Sequence, residues 1–240
     1  MENSIYVALS RQMALQRQLD VTSNNIANMN TTGYKNQRML FTEFLEKPGL
    51  HEKVSFVQDR AVVRDLSNGP MTQTGNPLDL ALTGQGYFTV DTASGPRYTR
   101  AGNFRLNDQR QIVDAGGLPL LANNGQPLTV PAGTTDIKVS GDGTIATELG
   151  PVGKLNIVTF KKEQLMTEVG NGLYVTDEQP EPAPADTKVA QGLLETSNVK
   201  PVVEMTQMIE IQRQYMSAQR MIENEHERIR GMLQKLGRTA

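Results

Sequence analysis

Three short stretches contain residue types that could do chemistry, but each lacks part of the pattern that its chemistry requires. Gly84-Gln85-Gly86 has two glycines of a dinucleotide-binding loop, but no third glycine and no helix pattern follow. Gly141-Asp142-Gly143 begins like a calcium loop without its further carboxylates. His51-Glu52 starts a zinc-protease motif whose second histidine is missing. We therefore expect Gly84-Gln85-Gly86 to be a bulge or tight turn, and none of the three to be a site.

The composition also argues against an enzyme. The 240 residues include two histidines and no cysteine, which excludes thiolate nucleophiles and Cys-based metal sites. His226 lies between Glu225 and Glu227 in a helical pattern, where a packed or solvated imidazole is the simpler interpretation. We expect no catalytic residue, no metal and no cofactor. The net charge of −2 offers no basic excess to attract nucleic acid or anionic lipid, so neither is expected as a partner.

No stretch predicts membrane insertion or a cleaved secretory signal. The longest apolar run near the start spans residues 5–9 and follows Glu2 rather than a basic cluster. A transmembrane helix would need about 20 apolar residues. If the protein leaves the cytoplasm, we expect a route that uses no cleaved signal peptide.

Residues 198–237 form the longest periodic stretch and predict an amphipathic helix. Asn198 suits the N-cap, Pro201 the first turn and Gly237 the stop. Alternating steps of three and four residues define a narrow seam of the kind found between coiled helices, formed by Met205, Met208, Gln212, Tyr215, Gln219, Ile222, His226, Ile229, Leu233 and Leu236. We interpret its polar members as a sign of multi-helix assembly in a selected register. A helix packed only on its own domain is the alternative.

Residues 4–29 repeat the same spacing at the other end of the chain. The seam positions are Ile5, Ala8, Gln12, Leu15, Leu19, Thr22, Ile26 and Met29. Two matched amphipathic ends are explained most simply if they pack on one another, coiled-coil-like, while the middle of the chain projects as a separate domain.

Four asparagines cluster where the first helix should end. Asn24, Asn25, Asn28 and Asn30 precede Gly33, which can take the positive φ that a turn requires. Amides are unfavourable inside helices but useful at their exits, where they bond to backbone groups. We predict that Asn25 and Asn28 hold the exit in this way, a solvated turn being the alternative.

The middle of the chain predicts short antiparallel strands. Strand-like runs recur about every ten residues, with Asn124-Gly125 and Asp142-Gly143 as hairpin signals between them. We predict an α+β fold with a central all-β domain at residues 69–198. Residues 1–35 and 199–240 would make one discontinuous helical domain, and residues 36–68 an extended connector or hairpin. Phe41, Phe44 and Leu45 suggest one further helical turn before that connector.

Four stretches resemble the flagellar basal-body rod, hook and hook-associated axial proteins, in the order of that family. They are SNNIANMNTTGYK (residues 23–35), GPMTQTGNPLDLALTGQGYFTV (69–90), RYTRAGNFRL (97–106) and LLETSNVKPVVEMTQMIEIQRQY (193–215). The resemblance implies a structural subunit of the rod that crosses the periplasm in the flagellar basal body. Its partners would be other rod subunits and copies of itself in a helical tube, with the terminal helices lining the tube and the β domain outside. It also implies export through the flagellar type III apparatus.

The opening residues and the length are most similar to the proximal-rod members, with the distal-rod members as the alternative. Two other classes stay open: a β domain that binds peptide or glycan and is oligomerised by its helices, and a hydrolase built on the β domain. For the rod hypothesis we assign the assembly interface to the two seams and the exit, namely Ile5, Leu15, Leu19, Asn25, Ile26, Asn28, Gly33, Asn198, Met208, Tyr215, Ile222, Ile229 and Leu236.

Overall fold

The computed structural model describes residues 2–46, 54–134 and 136–236. One long helix lies at each end, α1 (Glu2–Ala27) and α2 (Pro201–Leu236), and antiparallel strands lie between them. The α+β class predicted from the sequence is confirmed. The strands are β1 (Gln37–Glu46), β2 (Val54–Arg64), β3 (Met71–Gln73), β4 (Leu80–Thr83), β5 (Tyr87–Val90), β6 (Arg97–Thr99), β7 (Arg105–Leu106), β8 (Ile112–Val113), β9 (Ile137–Val139), β10 (Thr144–Thr147), β11 (Gly150–Lys154), β12 (Ile157–Thr159), β13 (Thr167–Glu168), β14 (Leu173–Val175), β15 (Glu181–Pro182), β16 (Lys188–Gln191) and β17 (Leu193–Glu195).

The chain divides into two compact units. The helical unit comprises Met1–Ala27, Gln37–Asp65 and Lys200–Ala240, and the β unit comprises Asn28–Asn36 and Leu66–Val199. The domain boundaries predicted from the sequence stay a prediction, because a division by contacts does not measure which parts fold alone. Within the described residues, neither helix has an apolar stretch long enough to cross a bilayer.

In the helical unit α1 packs on α2 and on the hairpin β1–β2. The hairpin is antiparallel, pairs Gln37 with Arg64 and has a bulge between Leu40 and Phe41. The sequence-based expectation that Phe41, Phe44 and Leu45 extend the first helix is wrong, because all three lie in β1. The helix has already ended at Ala27, and the turn at Gly33, with φ +70°, leaves no helical backbone to continue.

The core of the β unit lies on both faces of a six-stranded sheet with the order β13-β14-β6-β5-β12-β15. All four residues of β5 are buried, and successive side chains point to opposite faces. Phe88 belongs to a large aliphatic cluster that includes Leu80, Leu82 and Ile112. Tyr87 belongs to an aromatic cluster with Tyr98, Val158, Phe160, Met166 and Tyr174.

The turns of the β unit follow the local signals. Gly125 and Gly143 have φ values of 77° and 84°, and Gly143 directly precedes β10, which pairs with β9. Gly84 and Gly86 also have positive φ and connect β4 to β5, so the tight turn expected there is confirmed.

Candidate functional site

The contact between α1 and α2 is the first part of the candidate assembly site. Leu15, Ile211 and Ala218 form a buried cluster, against which the half-buried Leu19 and Tyr215 pack. Near the end of α1, the Asn25 amide donates to Glu204 in the first turn of α2, with an N–O distance of 3.1 Å. The two helices therefore run antiparallel, and the seams predicted from the sequence face each other in part.

The phase of the α2 seam differs from the prediction. Met208, Tyr215, Ile222 and Ile229 are half-buried, as a seam requires, but Met205, Gln212, Gln219 and His226 are exposed. The buried or half-buried companions are Glu204, Ile211, Ala218 and Glu225. From Met208, a step of three reaches Ile211 and a step of four reaches Gln212, and both steps keep the alternating pattern. The structure takes the step to Ile211, because burying isoleucine is favourable and burying glutamine is not. Gln212, Gln219 and His226, from which a selected register was inferred, therefore lie outside the seam.

The α1 seam agrees better with its predicted phase. Ala8, Leu15 and Thr22 are buried, and Leu19 and Ile26 are half-buried. Two further assigned positions, Ile5 and Leu236, fall within α1 and α2, but their side chains lie outside the described part of the chain.

Asn25 makes the amide–backbone bonds expected at the helix exit. Its side chain is 1% exposed. Its Nδ2 donates to the Gln37 carbonyl at 2.8 Å, and its Oδ1 accepts from the Gln37 N–H at 2.9 Å. The amide thus bonds both backbone groups of Gln37, the first residue of β1. Asn28, in the β unit, accepts from the Thr31 hydroxyl at 3.1 Å through its Oδ1 and from the Thr31 N–H at 3.1 Å through its carbonyl. Their roles in assembly stay a prediction.

Asn198 joins two other parts of the β unit. Its Oδ1 accepts from the Asn36 N–H at 2.7 Å, and its Nδ2 donates to the Ser67 carbonyl at 3.0 Å. The expected N-cap position is wrong: α2 begins at Pro201, and the Lys200 carbonyl accepts from the Glu204 N–H, which places the cap at Lys200.

Gly33 is required by both its conformation and its surroundings. Its N–H donates to the Glu195 carbonyl at 2.8 Å, and its φ is +70°. A Cβ at this position would lie 2.6 Å from the carbonyl carbon of Arg100, well inside van der Waals contact. The close approach holds residues 28–36 against the segment after β6.

Gly33→Ala should therefore destabilise the β unit far more than the matched substitution Gly75→Ala. Gly75 has φ +75°, and no atom lies within 4 Å of the point that a Cβ would occupy, so alanine there meets only the left-handed strain of about 1–2 kcal/mol. Gly33→Ala adds the clash with backbone atoms. Urea unfolding of the purified chain measures both. Equal losses for the two variants would show that the close contact at Gly33 relaxes without cost.

A buried ion cluster lies beside Gly33, and the sequence analysis did not predict it. The Glu195 carboxylate, 2% exposed, accepts from Lys35 Nζ at 2.6 Å and from the Gly69 N–H at 2.8 Å through Oε1. Its Oε2 accepts from Arg100 Nε at 2.9 Å. We call Lys35, Arg100 and Glu195 the Glu195 cluster. Each comes from a different one of the four stretches that resemble flagellar axial proteins. Two of these three stretches contain further charged residues, so the sequence has no signal that singles out these three.

Arg100 connects the cluster to the loop between β4 and β5. Its guanidinium donates to the carbonyls of Leu82 at 3.3 Å and Gly84 at 2.6 Å, and also to the Gly86 carbonyl. A further bond reaches the Asn68 Oδ1 at 2.8 Å. The glycine pair that has part of a dinucleotide-binding pattern thus supplies carbonyl acceptors for an arginine of the same unit.

Each helix also has a second apolar stripe that faces solvent. On α2, Val202, Met205, Ile209 and Met216 are 46–77% exposed, and on α1, Tyr6, Leu9 and Met13 are 46–60% exposed. In both helices the stripe follows steps of three, four or seven residues, about 100° around the axis from the seam. We call these seven residues the outer stripe. Exposed apolar surface organised in this way is typical of a protein–protein interface.

The β unit has an open cleft of about 700 Å³ beside the proline-rich segment 180–185. Its lining includes an exposed ion pair, Asp142 with Lys154 at 3.6 Å. Hydrogen bonds from Thr144 lower the pKa of the Asp142 carboxyl. Across the described residues there is no group of three or more His, Asp or Glu side chains placed to hold a metal ion. His51 and Glu52 lie outside the described residues.

Comparison with known proteins covers both ends and the middle of the chain. The family described as "Flagella basal body rod protein" matches residues 5–35, and "Flagellar basal body rod FlgEFG protein C-terminal" matches residues 190–235. "Flagellar hook protein FlgE/F/G D1 domain" matches residues 81–147. The flagellar basal-body rod protein FlgF of Caulobacter vibrioides is 39% identical, over 99% of this chain and 99% of that protein.

The chain belongs to the flagellar basal-body rod protein family. Within this rod family, FlgF of Mesorhizobium japonicum is 35% identical over 90% of each chain. FlgG of Caulobacter vibrioides is 34% identical over 88% of this chain and 91% of that protein. In one organism, FlgF is therefore more similar to this chain than FlgG. The rod-family matches at the two ends include most of α1 and of α2, together with Lys35 and Glu195.

Proposed function

We propose that this chain is a structural subunit of the flagellar rod that transmits torque and assembles helically with other rod subunits and with copies of itself. The observation that carries the proposal is the 39% identity to FlgF over nearly the whole of both chains. The lower identity to FlgG of the same organism, 34%, favours a proximal-rod position over a distal one.

The assembly surface that we propose is the outer stripe rather than the seam. The seam is occupied within one chain, where Leu15 contacts Ile211 and Ala218. Contacts between subunits need a further surface, and the outer stripe offers apolar side chains on both helices. In this proposal α1 and α2 form a coiled-coil-like pair, and the outer stripe packs on the helices of neighbouring rod subunits. Contacts between unlike surfaces add subunits without closing a ring, as a helical tube requires.

The remaining parts of the proposal follow from the rod assignment. The subunit would be exported through the flagellar type III apparatus and reside in the basal body that spans the periplasm. Its contribution would be mechanical and not enzymatic, and it would use no cofactor.

Ile209→Asp and Met216→Asp should each abolish swimming while leaving the α1–α2 seam intact. Each buries a carboxylate in the proposed contact between subunits. A cost of about 3 kcal/mol would weaken each such contact about 100-fold. Ser217→Asp is the matched control, because Ser217 is exposed, follows Met216 directly and lies off the outer stripe. Swimming is scored in soft agar, rods are imaged by negative-stain microscopy of basal bodies, and circular dichroism checks the helices of the purified protein.

Two outcomes would contradict the proposal separately. Normal swimming of both stripe variants would show that the outer stripe is not the assembly surface. A normal rod in a strain that lacks the gene would refute the rod function itself.

A further inference from the structure

The covalent path between the two units runs through three short segments of the β unit. The chain passes between the units after residues 27, 36, 65 and 199. The segments of the β unit that carry these four crossings are residues 28–36, 66–70 and 195–199. We call them the connecting segments. Any force that travels along the chain from one unit to the other must pass through them.

The Glu195 cluster joins all three connecting segments. Lys35 Nζ, in the first segment, donates to Glu195 Oε1 at 2.6 Å and to the Ser67 carbonyl at 2.8 Å. The Gly69 N–H, in the second segment, donates to Glu195 Oε1 at 2.8 Å. Lys35 and Glu195 are both almost fully buried, at 5% and 1% exposure of their side chains. One carboxylate in the third segment thus holds a side chain of the first and a backbone group of the second.

Backbone bonds follow the same pattern. The Gly33 N–H donates to the Glu195 carbonyl at 2.8 Å, and the Thr196 N–H donates to the Pro70 carbonyl at 2.9 Å. The Glu195 carboxylate and the backbone around it therefore bond to the same two segments, residues 28–36 and 66–70. On the other side of the carboxylate, Arg100 connects the cluster to the β4–β5 loop and so to the sheet.

We propose that the Glu195 cluster is a mechanical clamp, in which Lys35 and Glu195 are positioning residues that keep the three connecting segments in fixed register under load. Displacing one connecting segment along another would separate the buried Glu195 carboxylate from Lys35 or from the Gly69 N–H, which is energetically costly. Apolar contacts alone would resist such a displacement less, because they are not directional. Arg100 joins the clamp to the β4–β5 loop of the same unit. This inference rests on the proposed function, because a rod subunit is a part that carries torque.

Lys35→Met tests the clamp without touching the apolar core. Methionine keeps most of the apolar stem and removes the cation that bridges the segments. Lys161→Met is the matched control, since Lys161 pairs with Glu181 on the surface of the same unit with side chains 73% and 49% exposed. Hydrogen exchange of the purified full chain should show the amides of Gly33, Gly69 and Thr196 exchanging about 100-fold faster in Lys35→Met. Lys161→Met should leave the same three amides at their wild-type rates.

The alternative outcomes of the exchange experiment each overturn the proposal. Equal acceleration of the amides of Gly33, Gly69 and Thr196 in Lys161→Met would mean that losing any lysine charge of the β unit opens the connecting segments, and not the loss of the clamp. Unchanged exchange at Gly33, Gly69 and Thr196 would mean that the connecting segments hold without the cluster.

The role of the clamp under torque has a test in cells. A strain with Lys35→Met should assemble rods visible by microscopy and swim in dilute medium, but lose swimming in viscous medium, where the motor works under high load. Lys161→Met and the cation-retaining Lys35→Arg should swim in both media. Equal swimming of Lys35→Met and Lys161→Met in viscous medium would refute the role, as would rods that are missing in Lys35→Met but present in Lys35→Arg. A normal rod in the deletion strain would refute the proposed function and leave the exchange result standing.

Discussion

Glu195→Ala is expected to lower the free energy of unfolding of the β unit by about 3–5 kcal/mol, because it leaves two buried cations without their anion. Lys35 is 4% exposed and Arg100 6% exposed, so neither side chain can recover its hydration without moving. At about 2–4 °C per kcal/mol, the melting temperature of the β unit should fall by roughly 6–20 °C. Calorimetry or urea unfolding of the purified full chain measures the loss.

Two further variants separate the causes of that loss. Glu181→Ala removes the carboxylate of an exposed pair with Lys161 and should cost no more than about 1 kcal/mol. Glu195→Gln keeps the size of the side chain and removes the charge, so a loss close to that of Glu195→Ala would assign the effect to charge rather than to a cavity. A loss for Glu195→Ala as small as that of Glu181→Ala would show that water reaches the two cations.

The local features of the β unit could be predicted because their causes lie within a few residues. Asp142-Gly143 makes a turn since glycine accepts the positive φ and the aspartate bonds to Thr144 two residues on. At the exit after α1, Gly33 takes the positive φ that a turn requires, as its sequence neighbourhood indicated. In both places a glycine stands at the position whose φ is positive.

The Glu195 cluster could not be predicted in this way. Lys35 and Glu195 are 160 positions apart, and Arg100 is 95 positions from Glu195. Periodicity shows which residues of one element share a face, but it does not show which residues of distant stretches meet in the fold. Phe41, in β1, was also assigned wrongly because a distant segment decides its conformation. Its apolar neighbours suit a helix or a strand, and the pairing of β1 with β2 selects the strand.

The presence of a long helix at each end was easier to predict than the phase of the seam. Alternating steps of three and four residues leave two choices at each step, and the apolar content of α2 permits both over several turns. Contact with Leu15 selects the phase through Ile211 and Ala218. The residues of the other phase, Met205 among them, then remain exposed on α2.

Ile211→Asp is expected to separate α1 from α2. Ile211 is 4% exposed and lies in the buried cluster with Leu15 and Ala218. The substitution removes about 2 kcal/mol of apolar burial and places a carboxylate where desolvation costs several kcal/mol more. Far-ultraviolet circular dichroism of the purified full chain should show a loss of helical signal and an earlier thermal transition of the helices, while the strand signal of the β unit persists.

Gln212→Asp is the decisive comparison, since it places the same carboxylate one residue further along α2. In the phase predicted from the sequence, Gln212 is a seam position and Ile211 is not; in the structure, Gln212 is exposed and Ile211 is buried. A helix turns by about 100° between the two positions, so one substitution meets Leu15 and the other meets water. Gln212→Asp should therefore change the helix transition by no more than about 0.5 kcal/mol. Equal destabilisation by the two variants would mean that α2 rotates between both phases, and the larger loss for Gln212→Asp would return the seam to the predicted phase.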